Sequence, residues 1–313
     1  MQAKQLAFVF PGQGSQSLGM LGGIAETDGI IKTTFEEASE SIGLDLWALA
    51  QEGPQEQQNL TENTQPLILT ASVALWRVWT ARSAARPAMM AGHSLGEFSA
   101  LVCAGALLFT DAVQLVRQRG RFMQTAVPVG AGAMAAIIGL DDDSINAACE
   151  SACEGEVVSA VNYNSPGQVV IAGHAKAVER AQALCKEAGA KRALPLPVSA
   201  PFHTSLMQPA GAQLAELLVD IEIVEPEISV VHNVGASTTN APDQIKALLV
   251  QQISSPVPWV QCVLAMQARG AEYIVECGPG KVLSGLNRRI DKSISSANLQ
   301  QSEDFDKLIA ELG

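Results

Sequence analysis

Residues Gly92-His93-Ser94-Leu95-Gly96 form a Gly-x-Ser-x-Gly stretch. A short apolar run at 88–91 precedes it, and an apolar-periodic segment at 95–106 follows. Strand, sharp turn and helix in that order describe a nucleophile elbow. Such a turn pushes the serine hydroxyl outward at the head of a helix, where backbone N–H groups can support an oxyanion. The flanking glycines suit a turn whose neighbouring backbone leaves no room for side chains. The same five residues on a surface loop would be chemically silent, but a loop would lack the flanking strand and helix.

A serine hydroxyl needs a base. The chain has four histidines: His93, His174, His203 and His232. His93 adjoins the serine, and an elbow throws neighbouring side chains apart. His174 follows Gly173 at a strand-to-helix turn, where a structural role is expected. His232 ends an apolar strand beside Asn233 and could be a packing residue. His203 follows Pro201-Phe202 in a loop that returns to the main fold. Spacing alone leaves His203 and His232 both open. No Asp or Glu completes a triad with them, because the acids between Ser94 and His203 fall on helix faces or in an inserted region. An imidazole base with its ordinary pKa would make acylation rise with pH through the usual histidine range.

The elements that must hold these residues are legible in outline. Leu6–Phe10 reads as a buried strand stopped by Pro11-Gly12. A helical pattern covers 33–50 with a break at Gly43. Thr64 is placed to cap a helix carrying Pro66 in its first turn, and Thr110 to cap another running through Phe122. From 127 to 197 the texture changes to strand, helix, strand, strand, helix, strand, the ferredoxin-like order. Gly130 and Gly132 open this stretch; Pro195, Pro197 and Pro201 close it. Strands at 228–232 and 273–276 then resume the main fold. The expectation is an α/β protein. An α/β-hydrolase-like large subdomain with a parallel sheet spans 1–126 and 198–313, and a ferredoxin-like (βαββαβ) small subdomain is inserted at 127–197.

Composition agrees with a sizeable core. Hydrophobic residues make up 48% and aromatics only 4% of the 313 residues, so Ala, Val, Leu and Ile must build the interior, as in a buried parallel sheet. The formal charge of −12 argues against nucleic acid and against an anionic membrane surface. The six cysteines include no Cys-x-x-Cys pair and no histidine at zinc spacing, so no metal site is expected. They read as small buried residues in a reducing compartment. The N-terminal apolar run is too short for a signal peptide, and no stretch is long enough to cross a membrane. A cytoplasmic protein is expected, and a monomer.

Taken together, the motifs resemble those of the malonyl-CoA:acyl carrier protein transacylases of bacterial type II fatty acid synthesis. The shared blocks run along nearly the whole chain. They are PGQGSQ at 11–16, GHSLGE at 92–97, QRGRFMQ at 118–124, GAMAAIIGL at 132–140, NSPGQVVIAG at 164–173, PFH at 201–203 and ECGPGKVLSGL at 276–286. The resemblance implies that Ser94 is the acyl-accepting nucleophile and His203 its base. It implies that the backbone carbonyl of Gln252 orients that base, so a missing acid is expected. The oxyanion would be held by the backbone N–H groups of Gln13 and Leu95. Arg119 would bind the free carboxylate of malonyl, while His93, Asn162 and Phe202 would line the site. A bulky Phe202 before the base fills the space that an α-methyl group would need. Malonyl-CoA and acyl carrier protein are the implied partners. No cofactor is implied, since the coenzyme A thioester is itself a substrate.

Each assignment has its own physical warrant. A guanidinium meets a carboxylate in two parallel charge-assisted bonds, and acetyl would leave a buried arginine unpaired. Without the resemblance, Arg119 would pass for a solvated helix charge between Arg117 and Arg121. Gly278-Pro279-Gly280-Lys281 lacks the spacing of a phosphate-binding loop. A serine hydrolase is disfavoured by the missing acid, and a non-catalytic carrier-binding module by the presence of both Ser94 and His203. A stand-alone acyltransferase serving a polyketide or polyunsaturated lipid synthase differs only in pathway. An acidic carrier meeting an acidic enzyme needs a local basic patch. Arg288 and Arg289, with Lys281 earlier on the same helix, are the candidate; Lys191-Arg192 is the second choice.

Overall fold

The computed structural model describes residues 5–198 and 200–312. It contains two sheets. The first is parallel, with strands β1 (Leu6–Phe10), β2 (Met89–Gly92), β7 (Ser229–Val231), β8 (Tyr273–Cys277) and β9 (Ser295–Leu299) in the order β7-β2-β1-β8-β9. The second is antiparallel, with β3 (Gly132–Ile138), β4 (Val158–Ser165), β5 (Gln168–His174) and β6 (Arg192–Pro195) in the order β4-β5-β3-β6.

The central strands are continuous apolar runs because both faces are covered. Along β1, Leu6, Phe8 and Phe10 enter one core and Ala7 and Val9 enter another. Phe8 packs against Trp76 and Trp79 of the helix Thr61–Arg82, with ring centroids 5.4 Å apart in each pair. The opposite face packs on Trp259 and Met266 of the helix Trp259–Ala268.

The second sheet carries the ferredoxin-like order expected from the sequence. It has its own core of Ile137, Ile145, Val169, Ile171, Val178 and Cys185 between the sheet and its two helices. On its other face Met134, Val161, Val170 and Ala172 join the large core. The insertion is therefore docked by an apolar face.

Several element boundaries differ from the sequence reading. The helix expected to be capped by Thr64 begins at Thr61. Thr64 instead donates through Oγ1 to the carbonyls of Gln58 and Leu60, at 2.6 and 3.0 Å, and Pro66 falls inside the helix. The helix expected from Thr110 begins at Phe109, behind an extended Leu108 that gives no side-chain cap. The expected helix at 95–106 spans Gly96–Cys103. β9 and the helix Ser302–Leu312 were not anticipated. β9 is a half-exposed edge strand of sequence SSANL, whose polar composition hides its period.

The helix Gly96–Cys103 crosses the end of β1 at backbone contact. A Cβ at Gly96 would lie 2.0 Å from the carbonyl oxygen of Phe10, and one at Gly92 would lie 1.8 Å from the carbonyl carbon of Gly96. No side chain larger than hydrogen fits either place. Gly96→Ala is expected to destabilise the protein by roughly 3 kcal/mol or more in urea unfolding, because backbone rather than a flexible side chain must move. A loss below about 1 kcal/mol would show that the crossing relaxes freely.

Candidate active site

The elbow forms as the sequence suggested. Ser94 sits between β2 and the helix Gly96–Cys103 with φ +52°, a left-handed backbone that non-glycine residues rarely adopt. Asn233, just beyond β7, stabilises this turn from below. Its Oδ1 accepts from the Ser94 amide at 2.8 Å and its Nδ2 donates to the Gly92 carbonyl at 2.7 Å. The loop after β1 comes close to the same turn, since a Cβ at Gly12 would lie 2.6 Å from the His93 carbonyl oxygen. Gln13 follows at the exposed mouth, and Leu95 occupies the N-cap position of the helix.

Of the two histidines that spacing left open, the structure brings His203 to the serine. His203 Nε2 lies 2.8 Å from Ser94 Oγ, and Nδ1 lies 2.9 Å from the backbone oxygen of Gln252. A carbonyl only accepts, so Nδ1 must carry the hydrogen. Nε2 then presents its lone pair to the serine hydroxyl. Burial, reinforced by the nearby Arg119 guanidinium, pushes the His203 pKa down to about 3. Burial of this kind differs from the solvated imidazole that an ordinary titration presupposes. His232 lies behind the elbow, fully buried, with Nδ1 at 2.8 Å from Glu97 Oε1.

Arg119 is the other buried group at the serine. It projects inward from the helix Phe109–Thr125 and is fully buried. Nη1 donates to Gln65 Oε1 at 2.8 Å; Nη2 donates to Gln252 Oε1 at 2.9 Å and to Ser94 Oγ at 3.2 Å. The guanidinium stacks 5.3 Å above the Phe98 ring. Among the described residues no carboxylate pairs with it, and its Nε has no partner. Burial lowers its pKa to about 10, and Glu97 acts in the opposite sense. The neighbouring arginines behave differently. Arg117 donates to the Ile42 carbonyl at 2.5 Å, and Arg121 pairs with Glu62 on the surface. Residues two apart on a helix point in different directions, and only Arg119 points inward.

The remaining sequence candidates surround this centre. His93 Nε2 lies 2.8 Å from Asn164 Oδ1, and its ring lies 5.6 Å from that of Trp259. Burial lowers the His93 pKa. Asn162 is buried on β4, bridged to Val257 through the backbone. Phe202 is buried immediately before His203, which has φ +64°. Gln13 Oε1 accepts from Gln65 Nε2 at 3.3 Å, so Gln65 links the first loop to Arg119. Sequence reading gave no role to Gln65, Glu97, Asn164 or Asn233. Glu97 carried a usable signal: a charge in the first turn of an apolar helix, directly after the elbow.

The candidate docking arginines diverge. Both are exposed in the last turn of the helix Val282–Ile290, with Lys281 at its N-cap. Arg289 donates to Gln168 Oε1 at 2.5 Å, at the start of β5. Gln168 is in register with Ile138, and Ile138 with Arg192, so Arg289 and the Lys191-Arg192 pair share one end of the second sheet. Arg288 turns the other way, lining a surface cavity with Tyr273, Ser295 and Lys307, where β8 and β9 begin. Arg289 and Lys191-Arg192 thus lie at the same end of the second sheet, where Asp141, Asp142 and Asp143 also follow β3, while Arg288 faces elsewhere.

An elbow serine on the lone pair of an orienting-carbonyl histidine, with an unpaired buried arginine beside it, defines a serine-dependent acyl-transfer site. The profile of the acyl transferase domain family matches residues 7–302. A malonyl CoA-acyl carrier protein transacylase of Escherichia coli is 59% identical over 297 residues, covering 95% of this chain and 96% of that one. The solved transacylase of the same description from Coxiella burnetii superposes with a TM-score of 0.98 at 47% identity, covering 99% of this chain and 98% of that one. A malonyl-transacylase solved in complex with its type II PKS acyl-carrier protein superposes at 0.97 and 50% identity, covering 98% and 100%. This chain belongs to the acyl transferase family and, within it, to the malonyl CoA-acyl carrier protein transacylases.

Two outcomes follow from the histidine geometry. His203→Ala is expected to lower Ser94 acylation by roughly a hundredfold or more, and His232→Ala far less; the reverse order would show that the base is His232. Because the His203 pKa lies near 3, the neutral base persists until pH falls towards that value. Acylation at limiting thioester should therefore stay flat from about pH 5 to 8. A half-maximal rate near pH 6.5 would show a solvated, ordinary imidazole.

Proposed function

We propose that this chain transfers malonyl from malonyl-CoA to the phosphopantetheine thiol of acyl carrier protein through a malonyl-serine intermediate, supplying malonyl-carrier for fatty acid elongation. The observation that carries the reading is Arg119. It is a fully buried cation without a carboxylate, 3.2 Å from the serine oxygen. An uncompensated buried charge is costly, and a substrate that brings a carboxylate compensates it.

In the first half-reaction His203 Nε2 takes the proton of Ser94 Oγ, and the oxygen attacks the thioester carbonyl. The developing oxyanion is received by the backbone N–H groups of Leu95 and Gln13. The carbon–sulfur bond breaks and the coenzyme A sulfur leaves with the proton from His203. In the second half-reaction the carrier thiol gives its proton to His203 and attacks the malonyl ester, and Ser94 regains its proton. The Gln252 carbonyl holds the imidazole tautomer throughout. The thioester is already an activated acyl donor, so neither step calls for an organic cofactor or a metal.

Phe202 restricts the space beside the acyl carbon and favours unbranched malonyl, with His93 and Asn162 lining the pocket. The inserted unit at 127–197 supplies one wall of the cleft, and the large subdomain at 1–126 and 198–313 supplies the elbow and the arginine. A monomer suffices, since one chain provides every group named. We place the reaction in the cytoplasm, a reading supported by six free cysteines. The carrier approaches across the end of the second sheet that bears Arg289, Lys191 and Arg192, and Arg288 contributes only through the general field of the helix. A second carrier type is compatible with this chemistry, given the relative solved with a polyketide carrier.

Arg119→Ala should lose malonyl transfer far more than acetyl transfer when Ser94 acylation by each thioester is timed separately. Equal loss for both would make Arg119 structural and overturn the reading. Reversing Arg288 and Arg289 to Glu should slow transfer to the carrier while leaving acylation by malonyl-CoA nearly intact. The single variants should assign the larger share to Arg289. The wild-type carrier step should slow as salt rises, because exposed charges are screened over about 8–10 Å. Indifference to both charge reversal and salt would place docking on another surface.

A further inference from the structure

Glu97 lies three residues after Ser94 and is fully buried. Its carboxylate meets three donors. Oε1 accepts from His232 Nδ1 at 2.8 Å; Oε2 accepts from the Asn233 amide at 3.0 Å and from Gln252 Nε2 at 2.7 Å. The other end of the same Gln252 amide, Oε1, accepts from Arg119 Nη2 at 2.9 Å. One neutral amide therefore stands between the buried carboxylate and the buried guanidinium, its nitrogen on the anion and its oxygen on the cation.

The spacing has a chemical consequence. A carboxylate bonded directly to Arg119 would satisfy the guanidinium and occupy the place where a substrate carboxylate must bind. At one remove it steadies the cation electrostatically and leaves it without an ion-pair partner. We infer that Glu97 is a positioning residue for malonyl selection, acting through the Gln252 side-chain amide to fix the direction of Arg119. This rests on the reading that Arg119 receives the substrate carboxylate. Burial opposes the arginine's charge and Glu97 favours it, in accord with that arrangement.

The amide direction is what Glu97 sets. Gln252 Nε2 also donates to the Ser94 carbonyl at 3.0 Å and, more weakly, to Asn233 Oδ1 at 3.4 Å, so with Glu97 three acceptors hold the nitrogen away from Arg119. A glutamine at 97 could present its own NH2 to this amide and favour the reversed orientation. Gln252 would then meet Arg119 with an NH2 group, donor against donor, and the guanidinium would lose its alignment on Ser94.

The test is Glu97→Gln, with Ser94 acylation followed by intact mass after rapid quenching, using malonyl-CoA and acetyl-CoA separately. The malonyl-to-acetyl rate ratio is expected to fall roughly tenfold. A merely structural role would lower both rates together and leave the ratio alone. Glu97→Asp, which keeps the charge, should recover part of the ratio. His232→Gln, which alters only the Oε1 side, should leave it unchanged. If Glu97→Gln does not fold, Gln252→Met serves in its place, since it keeps the backbone carbonyl for His203 but removes the amide; the same fall is expected. An unchanged ratio in whichever variant folds overturns the inference. Arg119→Ala measured alongside separates the two claims. If that variant shifts the ratio and the Glu97 or Gln252 variant does not, only the role of Glu97 fails. If Arg119→Ala leaves the ratio unchanged, the carboxylate reading fails and the inference falls with it.

Discussion

A guanidinium cannot shed its proton in a protein, so burying one obliges the surroundings to accommodate a permanent charge. Desolvating an ion costs several kcal/mol, and the usual remedy is a carboxylate in contact. Here the contacts of Arg119 are neutral: two glutamine oxygens, a serine hydroxyl and an aromatic face. Each also belongs to another part of the site. Gln65 reaches the first loop, Gln252 carries the carbonyl under His203, and Ser94 is the elbow. The arrangement that tolerates the charge is therefore the arrangement that aligns the reacting groups.

The fold supplies rigidity where that alignment needs it. β1 and β2 lie side by side with Phe10 opposite Gly92, so the loop after β1 and the elbow after β2 emerge at one edge. The second sheet presses an apolar face into the large core and brings Asn164 to His93. Two non-glycine residues with left-handed backbone, Ser94 and His203, meet at 2.8 Å through their side chains. Strain of that kind persists only where the surroundings over-determine it. At Ser94 the surroundings are the Asn233 bridge and the contact between Gly96 and β1.

The parts of this site that were legible in the sequence are local ones. The elbow could be read because a motif and its flanking strand and helix lie in one stretch. The second sheet could be read from its alternation of strands and helices. Choosing between His203 and His232 was not possible from spacing, because what separates them is a contact across 109 residues. His232 did prove to be buried and paired, but with Glu97, whose one trace in the sequence is a charge in the first turn of an apolar helix. Arg119 sits between two arginines of the same helix, and only the helical turn sends it inward. Gln252 contributes a backbone oxygen, which leaves no trace in residue type. β9 was invisible because an edge strand with half-exposed serines does not alternate.

All of this turns on Ser94 carrying the acyl group between the two thiols. The most direct measurement is the intact mass of the protein after malonyl-CoA alone, and again after acyl carrier protein is added. The account predicts one added malonyl group, located on Ser94, which disappears when the carrier arrives. No adduct, or an adduct that forms equally in Ser94→Ala, would contradict it.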